Sequence, residues 1–322
     1  MKPVLIGIDL GGTNIKSVLL DAATGKILHS EQSDTQAGRG VAAVVANIAS
    51  AIYQQRAAAK NQHRRVAAIG VGSAGLVDKG FVRNSPNLPG WQGAVPLLRL
   101  LKQELKGSTI PVVIENDVNT MILAEQRIGA AKGFAHVIGL TLGTGVGGGI
   151  ILDGRLYRGS RGGAGELGHT VICKDGPKCL CGNNGCLEAL VGTRAIINRY
   201  CFLKSEIRNQ KSEITVATIA ARARHSDRNA RASLHETGRL LGVGLANIVN
   251  TFNPEVIVIG GGVAQAGKLI LDPAIKEMKR RAMPYNAAQV KVKPARLGPW
   301  AGAIGAALAA GDGMRPQSFT VS

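Results

Sequence analysis

The sequence predicts an α/β protein built from two similar lobes, and three observations carry that reading. Strand and helix signals alternate through the N-terminal third. An internal repeat lays Ile6–Asp21 (IGIDLGGTNIKSVLLD) over Ile138–Asp153 (IGLTLGTGVGGGIILD) without gaps, matching at the opening Ile-Gly, at Leu-Gly in the turn and at the closing Leu-Asp. The chain has 322 residues, beyond the roughly 250 to 300 at which a single core stops growing.

The elements follow in order. PVLIGIDL (Pro3–Leu10) and SVLLDAATGKIL (Ser17–Leu28) read as strands separated by a glycine-rich turn. VAAVVANIASAIYQQRAAA sets Val41, Val44, Ile48 and Ile52 at helical spacing. VAAIGVGSAGLVD is a buried strand entering a glycine turn, and PVVIEND is another strand that ends where a helix begins near Val118. The repeat predicts a second strand, glycine turn and strand at 138–153. LLGVGLANIVNTFNPEVIVIGGGVA reads as a helix stopped at Asn253-Pro254, then a strand, then three glycines. GPWAGAIGAALAAGDG is a helix that returns to the first lobe, and the tail after Gly311 is expected to fray. With a hinge near Asp117, the expected division is a small lobe over 1–117 plus the returning helix at about 298–312, and a large lobe over 118–297.

Composition excludes several classes. No apolar run reaches the roughly 18 residues a membrane span needs, and MKPVLIGIDLGG enters a strand pattern without the charged region, apolar stretch and cleavage site of a leader. A cytoplasmic protein with no membrane partner is expected. Net charge is +18, with Lys and Arg crowded between Arg194 and Arg239 and between Lys276 and Arg296. That surplus attracts polyanions in general, but aromatics make up only 3 %, too few for stacking platforms, so no specific nucleic-acid partner is expected.

The glycine loops point to phosphate. GTGVGGG (Gly143–Gly149) lacks the helix that a dinucleotide-binding turn needs after it, because IILDGRLY follows and reads as strand. A glycine-rich hairpin still lets backbone N–H groups converge on an anion. In the first copy Asp9 can position a magnesium ion through water, Thr13 and Asn14 can donate to phosphate oxygens, and Lys16 can balance charge. Asp117, where strand gives way to helix, sits in a place that favours an ionised carboxylate; a structural N-cap and a proton acceptor both fit it.

The segment GHTVICKDGPKCLCGNNGCLE (Gly168–Glu188) holds four of the five cysteines. In a reducing compartment such a cluster reads as a metal site rather than a disulfide framework, and the odd total agrees.

Taken in order, DLGGTNIK, ENDVN, LTLGTGVGGGII, GELGH with the cysteine cluster, and VIVIGGGV resemble the bacterial ROK family of repressors, open reading frames and sugar kinases. The segment GH…CxCG…GCxE is the most distinctive mark, and the wording is most similar to the family's ATP-dependent glucokinases. The resemblance implies the two-lobed actin-like ATPase and sugar-kinase fold, with duplicated ribonuclease H-like lobes and an interdomain cleft. It implies ATP-dependent phosphorylation of a hexose, glucose first, with Asp117 as general base. Other hexoses (fructose, mannose, N-acetylmannosamine, N-acetylglucosamine), polyphosphate as donor, and a sugar-responsive transcriptional regulator are the alternatives.

Carried over residue by residue, the resemblance implies sugar contacts from Gly75, Asn87, Asn116, Asp117, Glu166, His169 and Glu188. It implies nucleotide contacts from Asp9, Gly11, Gly12, Thr13, Asn14, Lys16, Gly143, Thr144, Gly145, Gly261 and Gly262. His169, Cys179, Cys181 and Cys186 become the ligands of a structural zinc in the loop 166–188, leaving Cys173 and Cys201 as ordinary thiols. ATP, Mg²⁺ and structural Zn²⁺ are thus the expected cofactors, the sugar and the nucleotide the expected partners, and a homodimer or homotetramer the expected assembly. Two departures stand out. Ala74-Gly75 replaces a frequent Pro-Gly, and Trp300 stands where an Asp is usual.

Overall fold

Alternation of apolar residues fixes the first sheet. In the computed structural model, which describes residues 1–204 and 214–313, strand β1 (Pro3–Leu10) sends Val4, Ile6, Ile8 and Leu10 to one face and Leu5, Gly7 and Asp9 to the other. The first set packs under α1 (Val41–Asn61) with Val44, Ile48 and Ile52. β2 (Asn14–Asp21) pairs antiparallel with β1, opposing Asp9 to Lys16. The strand expected over Ser17–Leu28 is broken after Asp21. Its carboxylate accepts from the N–H groups of Ala23 and Thr24, Gly25 takes φ +69°, and the chain reverses into β3 (Ile27–Asp34).

β4 (Arg65–Ser73) adds to β1 in parallel. A small antiparallel sheet of β5 (Leu76–Asp78), β6 (Phe81–Arg83) and β7 (Ala94–Val95) follows, then α2 (Leu97–Glu104), β8 (Val112–Asn116) and α3 (Asp117–Ile128). The main sheet has the order β3-β2-β1-β4-β8. The second copy of the repeat forms β9 (Val137–Leu142) and β10 (Val146–Leu152), followed by β11 (Arg155–Leu156), α4 (Leu187–Val191), α5 (Thr193–Lys204), α6 (Val216–Arg224) and α7 (Arg228–Phe252). α7 ends at Asn253, left-handed at φ 43°, just before Pro254, and β12 (Val256–Gly260) follows. α8 (Lys268–Arg281), α9 (Pro284–Gln289) and β13 (Lys291–Pro294) complete a sheet of order β11-β10-β9-β12-β13. Each sheet is thus an antiparallel three-strand meander extended by two parallel strands. The duplication read from a single hairpin extends to the whole sheet.

The last helix, α10 (Ala301–Asp312), is Ala- and Gly-rich and lies on the β1 face that holds Leu5. Gly311 and Asp312 belong to it, and of the tail expected to fray, residues 314–322 lie outside the described residues. The chain forms two compact units: Met1–Gly133 with Arg158–Ala164 and the chain from Arg296, and Phe134–Tyr157 with Gly165–Ala295. The division falls at Gly133 rather than near Asp117, because α3 packs Val118, Met121 and Ala124 against Ala301 and Ile304 of α10. The second unit has its own core, in which Ile138, Leu140, Ile257 and Ile259 of the sheet meet Leu241, Leu245 and Ile270 of α7 and α8. No helix among the described residues is long and apolar enough to cross a membrane.

Candidate active site

In the first unit the β1–β2 turn brings the first glycine loop together. The Gly11 N–H donates to the Asn14 carbonyl (3.0 Å), while Thr35, just after β3, closes the turn from outside: its N–H donates to Thr13 O (2.8 Å) and its hydroxyl donates to Gly11 O (2.7 Å). Asp9 leaves β1 on the α10 face, and a Cβ at Gly302 would lie 2.7 Å from its carboxyl carbon. Burial pushes the Asp9 carboxyl up to about 6, the neighbouring charge of Asp117 pushes the same way, and Lys16 pulls it down. A buried carboxylate held this way suits a divalent cation, whose charge would favour its ionised form.

Asn116 caps α3. Its Oδ1 accepts from the N–H groups of Val118 (2.9 Å) and Asn119 (3.1 Å), and its amide nitrogen donates to Gly75 O (3.1 Å). Gly75 takes φ +104°, with Arg83 O 2.6 Å from where a Cβ would stand, so only glycine suits this turn. Ala74 before it is buried. Asp117 then begins the helix, with Oδ1 accepting from the Val118 N–H (3.0 Å) and its carbonyl accepting from the Thr120 hydroxyl (2.7 Å). The cap role thus falls to Asn116. Asn87 is exposed on the loop that folds over buried Trp91, and its carbonyl oxygen lies 2.6 Å from where a Cβ of Gly12 would stand. Trp300 sits at the start of α10, packed against the same cluster as Leu297.

In the second unit, Gly143, Thr144 and Gly145 form the β9–β10 turn, closed by the Gly143 N–H donating to Gly145 O (2.9 Å). Gly261 and Gly262 follow β12, which runs parallel to β9 with Gly260 opposite Thr141, so both glycine loops leave the same end of the sheet. The segment after the cysteines holds the hairpin. Glu188 Oε2 accepts from the Val146 N–H (2.9 Å), and Thr193 donates to Gly143 O through both its N–H (2.8 Å) and its hydroxyl (2.9 Å).

His169, Cys179, Cys181 and Cys186 each offer one ligand atom, and these atoms all lie within 4.8 Å of one another. The His169 Nδ1 is 3.7 Å from the Cys179 sulfur, and the Cys181 and Cys186 sulfurs are 3.6 Å apart, so no disulfide joins them. Burial pushes the Cys179 thiol up and the Cys186 thiol up to about 12, whereas the Asn183 backbone N–H holds Cys181 down. One nitrogen and three sulfurs crowded in this way fit a closed tetrahedral cation site, and a cation would offset the cost of ionising the buried thiols. His169 Nε2 turns the other way, 3.9 Å from a carboxylate oxygen of exposed Glu166. Cys173 is exposed and outside the cluster, and Cys201 lies in the core.

Sequence reasoning passed over Glu115, inside the quoted ENDVN, and Arg158. They form a 2.6 Å charged hydrogen bond behind the α3 turn. No local signal marks either residue: β8 pairs only with β4 at the edge of the sheet, so strand position does not announce the burial of Glu115.

Two sheets of one strand order, each opening on a glycine hairpin, with a carboxylate at the end of the last parallel strand of the first, define the two-lobed actin-like ATPase and sugar-kinase fold. Solved structures agree. The chain is similar to a ROK hexokinase from Thermus thermophilus (34 % identity, TM-score 0.80, covering 95 % of this chain and 97 % of that one). It is equally similar to a ROK family glucokinase from Streptomyces griseus in complex with glucose and AMPPNP (34 %, TM-score 0.78, 95 % and 99 %). A glucokinase of Thermotoga maritima is 35 % identical over 95 % of this chain and 96 % of its own length. The ROK family model matches residues 5–312, and the chain belongs to the ROK family.

Proposed function

We propose that this protein is an ATP-dependent hexose kinase that converts glucose to glucose 6-phosphate, with Asp117 as the general base. The observation that carries this reading is the placement of Asp117 at the N-terminus of α3, close enough to Asp9 beside the first glycine hairpin for their charges to interact. The similar Streptomyces griseus glucokinase, solved with glucose and an ATP analogue, supports the choice of both ligands. Asp117 takes the proton of the sugar hydroxyl, the freed oxygen bonds to the γ-phosphorus, and the bond from that phosphorus to the ADP oxygen breaks. Gly75, Asn87, Asn116, Glu166, His169 and Glu188 take the sugar hydroxyls. Thr13, Asn14 and Lys16, with the N–H groups of Gly11, Gly12, Gly143, Thr144, Gly145, Gly261 and Gly262, take the nucleotide. Asp9 would hold a magnesium ion, which when bound would supply positive charge against the phosphates. His169, Cys179, Cys181 and Cys186 hold a zinc that fixes the loop and enters no chemical step. A cytoplasmic homodimer or homotetramer completes the reading.

Replacing Asp117 with Asn keeps size and most contacts while removing the base, so kcat should fall about 10²- to 10⁴-fold with KM little changed. A coupled assay across glucose, fructose, mannose, N-acetylmannosamine and N-acetylglucosamine, with ATP or polyphosphate as donor, should give the highest kcat/KM for glucose with ATP. A variant that keeps more than about half its kcat would move the base elsewhere. Turnover with polyphosphate and none with ATP would overturn the donor.

A further inference from the structure

We infer that Arg158 is a positioning residue for phosphoryl transfer: through Glu115 it sets the strand-to-helix turn that presents Asn116 and Asp117. The inference rests on the reading of Asp117 as base. Glu115 is the penultimate residue of β8, its side chain is only 6 % exposed, and each of its oxygens is engaged. Oε1 accepts from the Asn116 N–H (3.0 Å) and from the side-chain amide of Asn119 (3.0 Å), and Oε2 accepts from Arg158 Nε (2.6 Å). The first two donors bracket Asp117 in sequence. Glu115 therefore grips the turn on both sides of the proposed base, and Arg158 alone among its recorded partners supplies positive charge. A buried carboxylate that loses its cation is strongly destabilised, and its remaining bonds rearrange to reduce the cost. Here those bonds are the ones that orient the turn.

Arg158 is itself held in place. It begins the segment Arg158–Ala164, which leaves the second unit after β11, packs with the first unit, and returns at Gly165. The Ala164 N–H donates to Arg158 O (3.1 Å), closing the segment into a loop, and Gly163 lies against Leu76 next to the Gly75 turn. Gly162 backs directly onto the Val77 carbonyl, where no side chain would fit. The guanidinium is thus delivered by a loop seated on the neighbouring β5, although its side chain is 49 % exposed. A short charged hydrogen bond from a fixed loop to a buried carboxylate has the directionality that positioning requires. The consequence falls on rate, because misplacing a reacting group by about 1 Å can cost on the order of 10²-fold.

The test is steady-state kinetics on Arg158→Ala, Arg158→Lys and Glu115→Gln in the full chain, with thermal unfolding on the same samples. Arg158→Ala should lower kcat by roughly tenfold or more while KM for ATP moves less than about twofold. Arg158→Lys should recover part of the loss. Because the arginine site is open to solvent, added guanidinium ion at millimolar level should also restore rate to Arg158→Ala and not to Glu115→Gln. The double variant should be no slower than the worse single one, since both act on one bond. A kcat for Arg158→Ala within about twofold of the parent overturns the inference. So does a loss that tracks the folded fraction and that neither lysine nor guanidinium relieves. Asp117→Asn separates the two claims: if it stays active the base assignment fails, and if it is inactive while Arg158→Ala is normal, only the role of Arg158 fails.

Discussion

Asp9 is unusual among the site residues in paying a folding cost that a ligand can remove. Burial, helped by the charge of Asp117, raises its carboxyl from 3.8 to about 6, so the folded protein holds a proton there that the unfolded chain gives up. The stabilising side of that linkage is complete below about pH 4 and lost as pH rises through 6. At pH 7.5 the carboxylate is therefore buried at a net cost on the order of 2 to 3 kcal/mol. Asp9→Asn should match the parent in urea unfolding near pH 4 and exceed it by about that amount at pH 7.5 in the absence of magnesium and nucleotide. An equal difference at both pH values would show that the gain comes from packing and not from charge. Catalysis should move the other way, because the asparagine offers a cation no negative charge.

At the level of the loop and its neighbouring helices, the cysteine segment is tied to the second glycine hairpin, the proposed nucleotide side, as well as to the proposed sugar contacts. From sequence, Glu188 and Val146 are far apart, and the resemblance places the cluster in the loop 166–188, which carries Glu166, His169 and Glu188. The structure adds that Glu188 spans from the Cys179 sulfur (3.6 Å to Oε1) to the Val146 N–H (2.9 Å to Oε2). A side-chain-to-backbone bond across the fold has no periodic signature, which is why the strands, the turns and the cluster of His169 with three cysteines were legible and this connection was not. Cys181→Ser, or mild chelation that leaves the fold intact, should raise KM for the sugar roughly tenfold or more, in line with the ~10- to 100-fold effects of disturbed metal shells. KM for ATP should rise by a smaller factor through the Gly143–Val146 turn. Metal analysis of the parent should find about one zinc per chain, released as pH falls. A folded, metal-free variant with both constants unchanged would uncouple the loop from both ligands.

Across the whole molecule, the repeat of one hairpin announced two sheets of the same order, whereas the boundary between the units escaped the sequence. The strand-to-helix junction at Asp117 looks like a hinge locally. What places α3 in the first unit is packing on α10, which follows it only after the entire second unit has been threaded. Some of the basic residues likewise have structural partners that no charge count reveals: Arg199 donates to Thr237 and Leu190 O, Arg231 to Ala223 O, and Arg280 and Arg281 to Glu277.

Glu125 shows how the first unit is closed despite that long excursion. It is fully buried in α3, with Oε1 accepting from the N–H groups of Arg296 (2.7 Å) and Leu297 (2.8 Å) and Oε2 from Ala130 (2.6 Å). These donors flank the points where the chain leaves the unit after Gly133 and re-enters it at Arg296. Glu125→Ala would leave backbone donors without their acceptor and open space at the core, at a cost of about 2 to 4 kcal/mol. Glu125→Gln keeps the volume and one acceptor oxygen, so it should cost less. Hydrogen exchange should accelerate at 129–131 and 296–304, while the zinc content of the second unit stays at the parent value. Protection lost evenly over both units, or a Glu125→Ala variant as stable as the parent, would show that the apolar contacts of α3 with α10 hold the returning chain without this carboxylate.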